Sequence, residues 1–293
     1  MIIGISGHIG SGKDTVGKII QYLISDKYAK DGRYSGLDLM PSDVKSLDKF
    51  INVSGFTIKK FAYAVKQVCS ILTGIPIEDF EKQEVKDRVL GEEWTRYGYA
   101  DGFSHVYRNG EKETIMNNKQ CDKERYELEL KTNWQTAYKH ERTVRELLQL
   151  VGTNAMRNII HEDVWVNALM NQYYIFPTYD DSTTDGNKWD YPNWIITDVR
   201  FENEAKSIED RDGFIIRVNR DLPCPVCKFT TFEQRGKPCT EITCPRGRPD
   251  YIGKHASETA LNNYDFDYTV DNNGTIEELI DQIKTILFVR NII

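Results

Sequence analysis

Gly7-His8-Ile9-Gly10-Ser11-Gly12-Lys13-Asp14-Thr15 decides how the rest of the chain is read. The stretch fits G-x-x-x-x-G-K, a phosphate-binding pattern, with Asp14 and then Thr15 where the usual form has one Ser or Thr. Before it, Met1, Ile2, Ile3 and Ile5 surround Gly4 as a short buried strand would. After it, Val16, Ile19, Ile20, Leu23 and Ile24 recur at helical spacing, an apolar stripe along one face. Glycines let the backbone curl so that several N–H groups face one concavity, and the helix N-terminus adds partial positive charge. Lys13 adds a full charge for the outer phosphates. Gly7, Gly10, Ser11, Gly12, Lys13, Asp14 and Thr15 are therefore expected to hold the phosphates of a nucleotide. A glycine-rich turn ahead of a helix is the plainer alternative, and strand, loop and helix in this order argue against it.

The totals narrow what surrounds that loop. At 293 residues, 40% hydrophobic and 11% aromatic, the chain can bury a sizeable core, as one large domain over 1–293 or as two. A net charge of −7 and a pI of about 5.4 do not favour a polyanionic partner such as duplex DNA. No window approaches the roughly 20 continuous apolar residues of a membrane span. The N-terminus enters the strand directly, so neither a membrane nor a secretion signal is expected. Six cysteines without such a signal suit a reducing cytoplasm, where clustered thiols point to metal before disulfides.

Moving outward from the loop, residues 26–55 read as a polar connection with one short helix around 42–52. Phe56-Thr57-Ile58 reads as a strand leading into Lys59-Lys60-Phe61-Ala62. The next helix carries Val65, Val68, Cys69 and Leu72 on one stripe and stops at Gly74 and Pro76. Lys66 lies off that stripe, where a solvated lysine is the ordinary case and a contact to a substrate phosphate the sharper one. Residues 95–140 read as an insertion, either a solvated excursion or a cover over substrate, with a hairpin turning at Asn109-Gly110. Thr143 and Glu146 form a T-x-x-E capping box for a helix burying Val144, Leu147, Leu148 and Val151 and ending at Gly152. Arg145 and Gln149, four apart, share another face of it. A second helix carries Met156, Arg157, Ile159 and Ile160, and Asp163 caps a third with Val164, Trp165, Ala168 and Leu169. Residues 178–192 read as a polar loop.

Trp194-Ile195-Ile196-Thr197-Asp198 is an apolar run ending in a carboxylate, the mark of a central strand delivering an acid to the edge where ligands bind. Beside a phosphate loop, Asp198 is a candidate for Mg²⁺, directly or through water; the alternative is a strand-end acid making a turn. Phe214-Ile215-Ile216-Arg217-Val218 and Tyr268-Thr269-Val270 read as further strands, and Thr275 with Glu278 caps a last helix. Alternating strands and helices predict a three-layer α/β fold on a mainly parallel sheet. Cys224, Cys227, Cys239 and Cys244 fall at spacings that tetrahedral zinc uses, so a structural Zn²⁺ knuckle is expected, with free thiols as the alternative.

Several blocks together resemble the phage-type deoxynucleoside monophosphate kinases. They are the G-K-D-T loop, Phe61-Ala62 leading to Lys66, Arg145-x-x-Leu148-Gln149-x-x-Gly152-Thr153-x-x-x-Arg157, and Asp163-Val164-Trp165. Thr197-Asp198-Val199-Arg200-Phe201-x-Asn203-Glu204, His255-x-Ser257-Glu258, Phe266-Asp267 and Asn273-Gly274-Thr275 complete the set. The resemblance touches most of the chain outside 26–55, 95–140 and the cysteine segment. It implies an adenylate-kinase-like P-loop kinase fold and transfer of the γ-phosphoryl group of ATP, with Mg²⁺, to a deoxynucleoside 5′-monophosphate. It also implies a lid over 221–254, which zinc would stiffen. With a phosphate as acceptor no general base is needed, only positive charge and in-line placement. Lys13 and Mg²⁺ would serve ATP, with Thr15 the hydroxyl nearest them; Arg145, Arg157 and Arg200 would clamp the acceptor and the transferring group. For each arginine a surface ion pair is the plainer alternative. Gln149 would read the base, with Phe61 and Trp165 as aromatic partners and Lys66 at the substrate. A phosphomevalonate or dephospho-coenzyme A kinase is the nearest rival. A zinc-containing P-loop ATPase or nucleic-acid-binding regulator is the rival from another class, disfavoured because Val199 and Arg200, not Glu, follow Asp198. A cytoplasmic setting, that of the host for a phage protein, and a homodimer fit the same resemblance.

Overall fold

A computed structural model describes residues 1–30, 54–108, 111–132, 137–179, 187–221 and 259–293. It divides the chain into two compact units, Met1–Ala64 with Glu162–Ile293, and Val65–His161. The chain runs β1 (Ile2–Gly7), α1 (Lys13–Lys30), β2 (Phe56–Lys59) and α2 (Ala62–Thr73), which carries it into the second unit. There follow α3 (Gln83–Lys86), β3 (Arg96–Arg108), β4 (Glu111–Cys121), α4 (Lys123–Thr132), β5 (Ala137–His140) and α5 (Val144–Gln149). α5 continues without a break as a π-helical stretch, Leu150–Ile160. The first unit resumes with α6 (Val164–Met170), β6 (Phe176–Tyr179), β7 (Asn187–Asp190), β8 (Asn193–Val199) and α7 (Glu202–Glu209). It ends with β9 (Phe214–Asn219), β10 (Tyr268–Asp271) and α8 (Ile276–Val289).

Five strands of the first unit form one sheet in the order β10-β9-β1-β8-β2, every neighbouring pair parallel. Period-two alternation explains why these strands are apolar almost throughout: both faces are covered. Ile3, Ile5, Ile195 and Ile216 face one core with Ile19, Ile20 and Leu23 of α1 and Leu279 and Ile283 of α8. Ile2, Trp194, Ile196 and Ile215 face the other, with Val166 and Leu169 of α6 and Ala205 and Ile208 of α7. Each fully buried isoleucine contributes about 1.5–3 kcal/mol. The three-layer α/β fold expected from the sequence is the one observed. Its central strand is β1, so the phosphate loop leaves the sheet at its middle.

The expected helix termini hold where the partner is local. Thr143 Oγ1 accepts from Glu146 N while Glu146 accepts from Thr143 N, and Thr275 and Glu278 repeat the arrangement on α8. Gly74 closes α2 with φ +71° and an N–H bonded to Ser70 O at 2.8 Å. Other expectations need correcting. Gly152 does not end a helix; the chain stays helical past it, and His161 N reaches Met156 O, five residues back, at 3.0 Å. Its missing side chain serves closeness instead, since a Cβ there would stand 3.5 Å from Val65. Leu72 is exposed at the end of α2 and Lys66 is buried, the reverse of the stripe drawn above. Residues 176–190 contain the antiparallel pair β6–β7 where a polar loop was expected.

In the second unit the hairpin takes the expected register, its innermost pair Arg108↔Glu111 flanking Asn109-Gly110. It is longer than the sequence suggested, and β5 adds a third antiparallel strand to it through Arg96↔His140 and Tyr99↔Ala137. The expected short helix around 42–52, Asn109 and Gly110 themselves, and the segment from 222 to 258 lie outside the described residues.

Candidate active site

The loop between β1 and α1 is shaped by contacts that only small residues permit. Gly12 takes φ +96°, and a Cβ on it would lie 2.3 Å from Nδ2 of Asn272, which donates to Ser11 O at 2.7 Å. A Cβ on Gly7 would lie 2.5 Å from Ser11 Oγ and 2.6 Å from Val218 O. Val16 N closes the first helical turn onto Gly12 O at 3.0 Å. The Lys13 ammonium folds back over the loop, donating to Gly7 O at 2.6 Å and His8 O at 2.8 Å. Ser11 is 2% exposed, and its hydroxyl has no hydrogen-bond partner among the described residues. A buried orphan hydroxyl is costly, about 1–3 kcal/mol. One at the first turn of a helix, beside a lysine, fits an anionic oxygen supplied by a ligand.

Asp14 holds the position of the usual loop Ser or Thr. Its carboxylate accepts from the Thr197 hydroxyl at 2.6 Å and pairs with Lys60 at 3.1 Å. Burial pushes this carboxyl up, but the Thr197 bond and the Lys60 charge outweigh it and hold Asp14 below the usual carboxylate range. The Asp14 carboxylate and the Thr197 hydroxyl are oxygen donors of the hard type that Mg²⁺ takes, and Thr15 follows Asp14 in sequence.

Asp198 is delivered to the C-terminal edge of β8 as expected, yet its contacts are those of a turn-maker. Oδ1 accepts from Phe61 N at 2.8 Å and Oδ2 from Ala62 N at 2.9 Å, so both oxygens anchor the entry into α2. That leaves Asp14 as the more open carboxylate for a cation. Arg200 is half-buried just beyond β8; its backbone N–H and that of Phe201 donate to Glu204 at the start of α7. Asn203 donates to Glu162 O and Asp163 Oδ1, which turns Asp163 away from the capping role expected of it. Several residues of the Thr197–Glu204 block are thus explained as braces. Phe61 is 2% exposed within the α6–α7 core and Trp165 is 4% exposed, so packing accounts for both rings.

The remaining candidates belong to the second unit. Lys66 is buried and ion-paired to Glu81. Arg145 donates through Nε at 3.1 Å and through Nη2 at 2.8 Å to Asp87 Oδ1. The Arg145 guanidinium, then Gln83, hold the Asp87 carboxyl below its ordinary range. Gln149 closes α5 and Arg157 lies on the π-helical stretch, both half-buried. Cys224, Cys227, Cys239 and Cys244, like His255, Ser257 and Glu258, lie outside the described residues. Among the described residues no group of three or more His, Cys, Asp or Glu could hold a metal, so the expected zinc finds no support there.

Sequence reading missed Lys60, Thr197 and Asn272. Lys60 was one of two adjacent lysines and Thr197 one letter of a strand; only tertiary pairing singles them out. Asn272 had a weak signal, since it opens the turn-rich Asn272-Asn273-Gly274.

Comparison with known proteins is consistent with this geometry. The family model for deoxynucleotide monophosphate kinase matches residues 99–228, a span that takes in the β3–β4 hairpin and leaves out the phosphate loop. The deoxynucleoside-5′-monophosphate kinase of Escherichia phage T5 is 26% identical over 239 residues, covering 74% of this chain and 77% of the relative. The chain is thus similar to deoxynucleoside monophosphate kinases along most of its length. That likeness supports a phosphotransferase and does not favour the rival kinases or the ATPase reading. None of the described helices is long and apolar enough to cross a membrane.

Proposed function

We propose that this kinase transfers the γ-phosphoryl group of ATP to a deoxynucleoside 5′-monophosphate, giving the diphosphate and ADP. The observation that carries the donor assignment is the loop itself, with Lys13 folded over its carbonyls and the Ser11 hydroxyl left for a ligand oxygen. A phosphate oxygen of the acceptor forms the new bond to Pγ, the bond from Pγ to the β–γ bridging oxygen breaks, and that electron pair leaves on ADP. The attacking oxygen is already anionic and the leaving oxygen departs as an anion of ADP, so no general base or acid is needed and the protein's task is placement and charge.

In this reading the loop N–H groups and Lys13 bind the outer phosphates of ATP. Asp14, assisted by Thr197 and Thr15, would hold Mg²⁺, which supplies charge neutralisation across the β- and γ-phosphates. Asp198 acts by fixing the turn into α2. Arg145 and Arg157 are assigned to the acceptor phosphate, Arg200 to the transferring group, and Gln149 to the base edge. Lys66 is assigned a supporting charge, with Glu81 as its partner. The host cytoplasm, where phage nucleotide synthesis takes place, is the setting this activity calls for.

A coupled ADP-release assay with ATP and Mg²⁺ across dTMP, dGMP, dCMP, dAMP and the ribonucleotides tests the proposal. Turnover with at least one deoxynucleotide is expected; turnover with none overturns it.

A further inference from the structure

β9 carries one charge among apolar side chains, Arg217 in Phe214-Ile215-Ile216-Arg217-Val218. Ile215, two positions earlier and so on the same face, packs into the α6–α7 core, and a residue with only a packing role at 217 would be expected to resemble it. The register sets Arg217 opposite Ser6 on β1, with Val218 opposite Gly7, one strand spacing from the start of the phosphate loop. Its guanidinium donates to Ser6 Oγ at 3.2 Å and lies 3.0 Å from Nε2 of His8, the second residue of the loop. Guanidinium has donors only, so His8 Nε2 is the acceptor in that contact. The Phe266 ring, 5.3 Å from Arg217 Cζ, supports its other side. Lys13 lies on the carbonyls of Gly7 and His8, so two cations converge on residues 6–8, at the sheet edge where ligands bind.

We infer that Arg217 is a phosphate-binding residue of the donor site. Its planar fork exchanges Ser6 Oγ and His8 Nε2 for non-bridging oxygens of the outer phosphates of a nucleoside triphosphate. His8 is the positioning residue that aims the fork before the nucleotide arrives. The inference rests on the loop being the triphosphate site, as proposed above.

Calorimetry with Mg²⁺ and the imido-bridged ATP analogue tests it without requiring turnover. Relative to the wild-type chain, Arg217→Met should weaken analogue binding ~10- to 100-fold, the worth of one or two charge-assisted bonds. Arg217→Lys should fall between the two, keeping the charge without the fork. His8→Ala should raise the donor KM and leave kcat, with His8→Gln restoring the acceptor and the KM. Should Arg217→Met fail to fold, Arg217→Lys decides, because wild-type affinity in that variant contradicts a role for the fork. Analogue binding unchanged by Arg217→Met overturns the inference alone. A wild-type chain that binds no triphosphate analogue sinks the inference together with the donor assignment.

Discussion

Lys13 and Arg217 in the first unit and Lys66 and Arg145 in the second are held by different contacts. Lys13 donates to the carbonyls of Gly7 and His8, and Arg217 to the Ser6 hydroxyl and the His8 imidazole. In the second unit Lys66 is paired with Glu81 and Arg145 with Asp87, which are carboxylates. The contacts named at Lys13 are dipoles, whereas a phosphate that takes over Arg145 must compete with the full negative charge of Asp87. On the proposed reading, the first arrangement serves the phosphates of the donor. The second makes binding conditional on a ligand with enough charge to release the stored cation, a form of selectivity.

Lys13→Ala should break the donor side outright, lowering turnover by about 1,000-fold or more with the circular dichroism spectrum unchanged, as expected when a main electrostatic group of phosphoryl transfer is lost. Turnover within tenfold of wild type would refute the loop assignment. Arg145→Ala should lower kcat/KM for the deoxynucleotide by ~100-fold while the ATP KM moves less than about twofold. Equal effects on both substrates would erase the proposed division of labour. Asp87→Asn sharpens the comparison in the other direction, since removing the competing carboxylate should lower the acceptor KM by about three- to tenfold. A raised KM would mean that Asp87 positions Arg145 for binding.

Two smaller effects concern stability. Thr143→Ala removes the cap of α5 and should cost about 1 kcal/mol in denaturant unfolding. Asp14 carries a pH signature. Its pKa is lower folded than unfolded, so the stability it confers is complete above the unfolded value of 3.8 and is lost as pH falls through the lowered folded value. Asp14→Asn should therefore flatten the acid limb of the stability profile and leave the slope above pH 5 alone, as followed by urea unfolding at stepped pH.

What was legible in the sequence was what local chemistry decides. The stripe Val16, Ile19, Ile20, Leu23 and Ile24 is buried as drawn, both T-x-x-E boxes form, and the hairpin turns about Asn109-Gly110. The readings that failed depended on a distant partner. Lys66 looked solvated because Glu81 was not yet its neighbour, and Gly152 looked like a stop until Val65 gave it a packing role. Asp198 was recognised as a strand-end acid, but only the folded chain shows the amides of Phe61 and Ala62 on its oxygens. Strand alternation did not announce β5, β6 or β7, each only four residues long.

Asn272 braces the loop carbonyl of Ser11 across 261 positions of sequence. The nine-residue signature is therefore finished by a residue synthesised long after it. Phosphate-binding competence should be a late event in synthesis, arriving with β10 rather than with the motif. A nascent chain stalled before Tyr268 should expose the signature yet fail to retain an ATP analogue, and retention by that chain would show the brace to be dispensable.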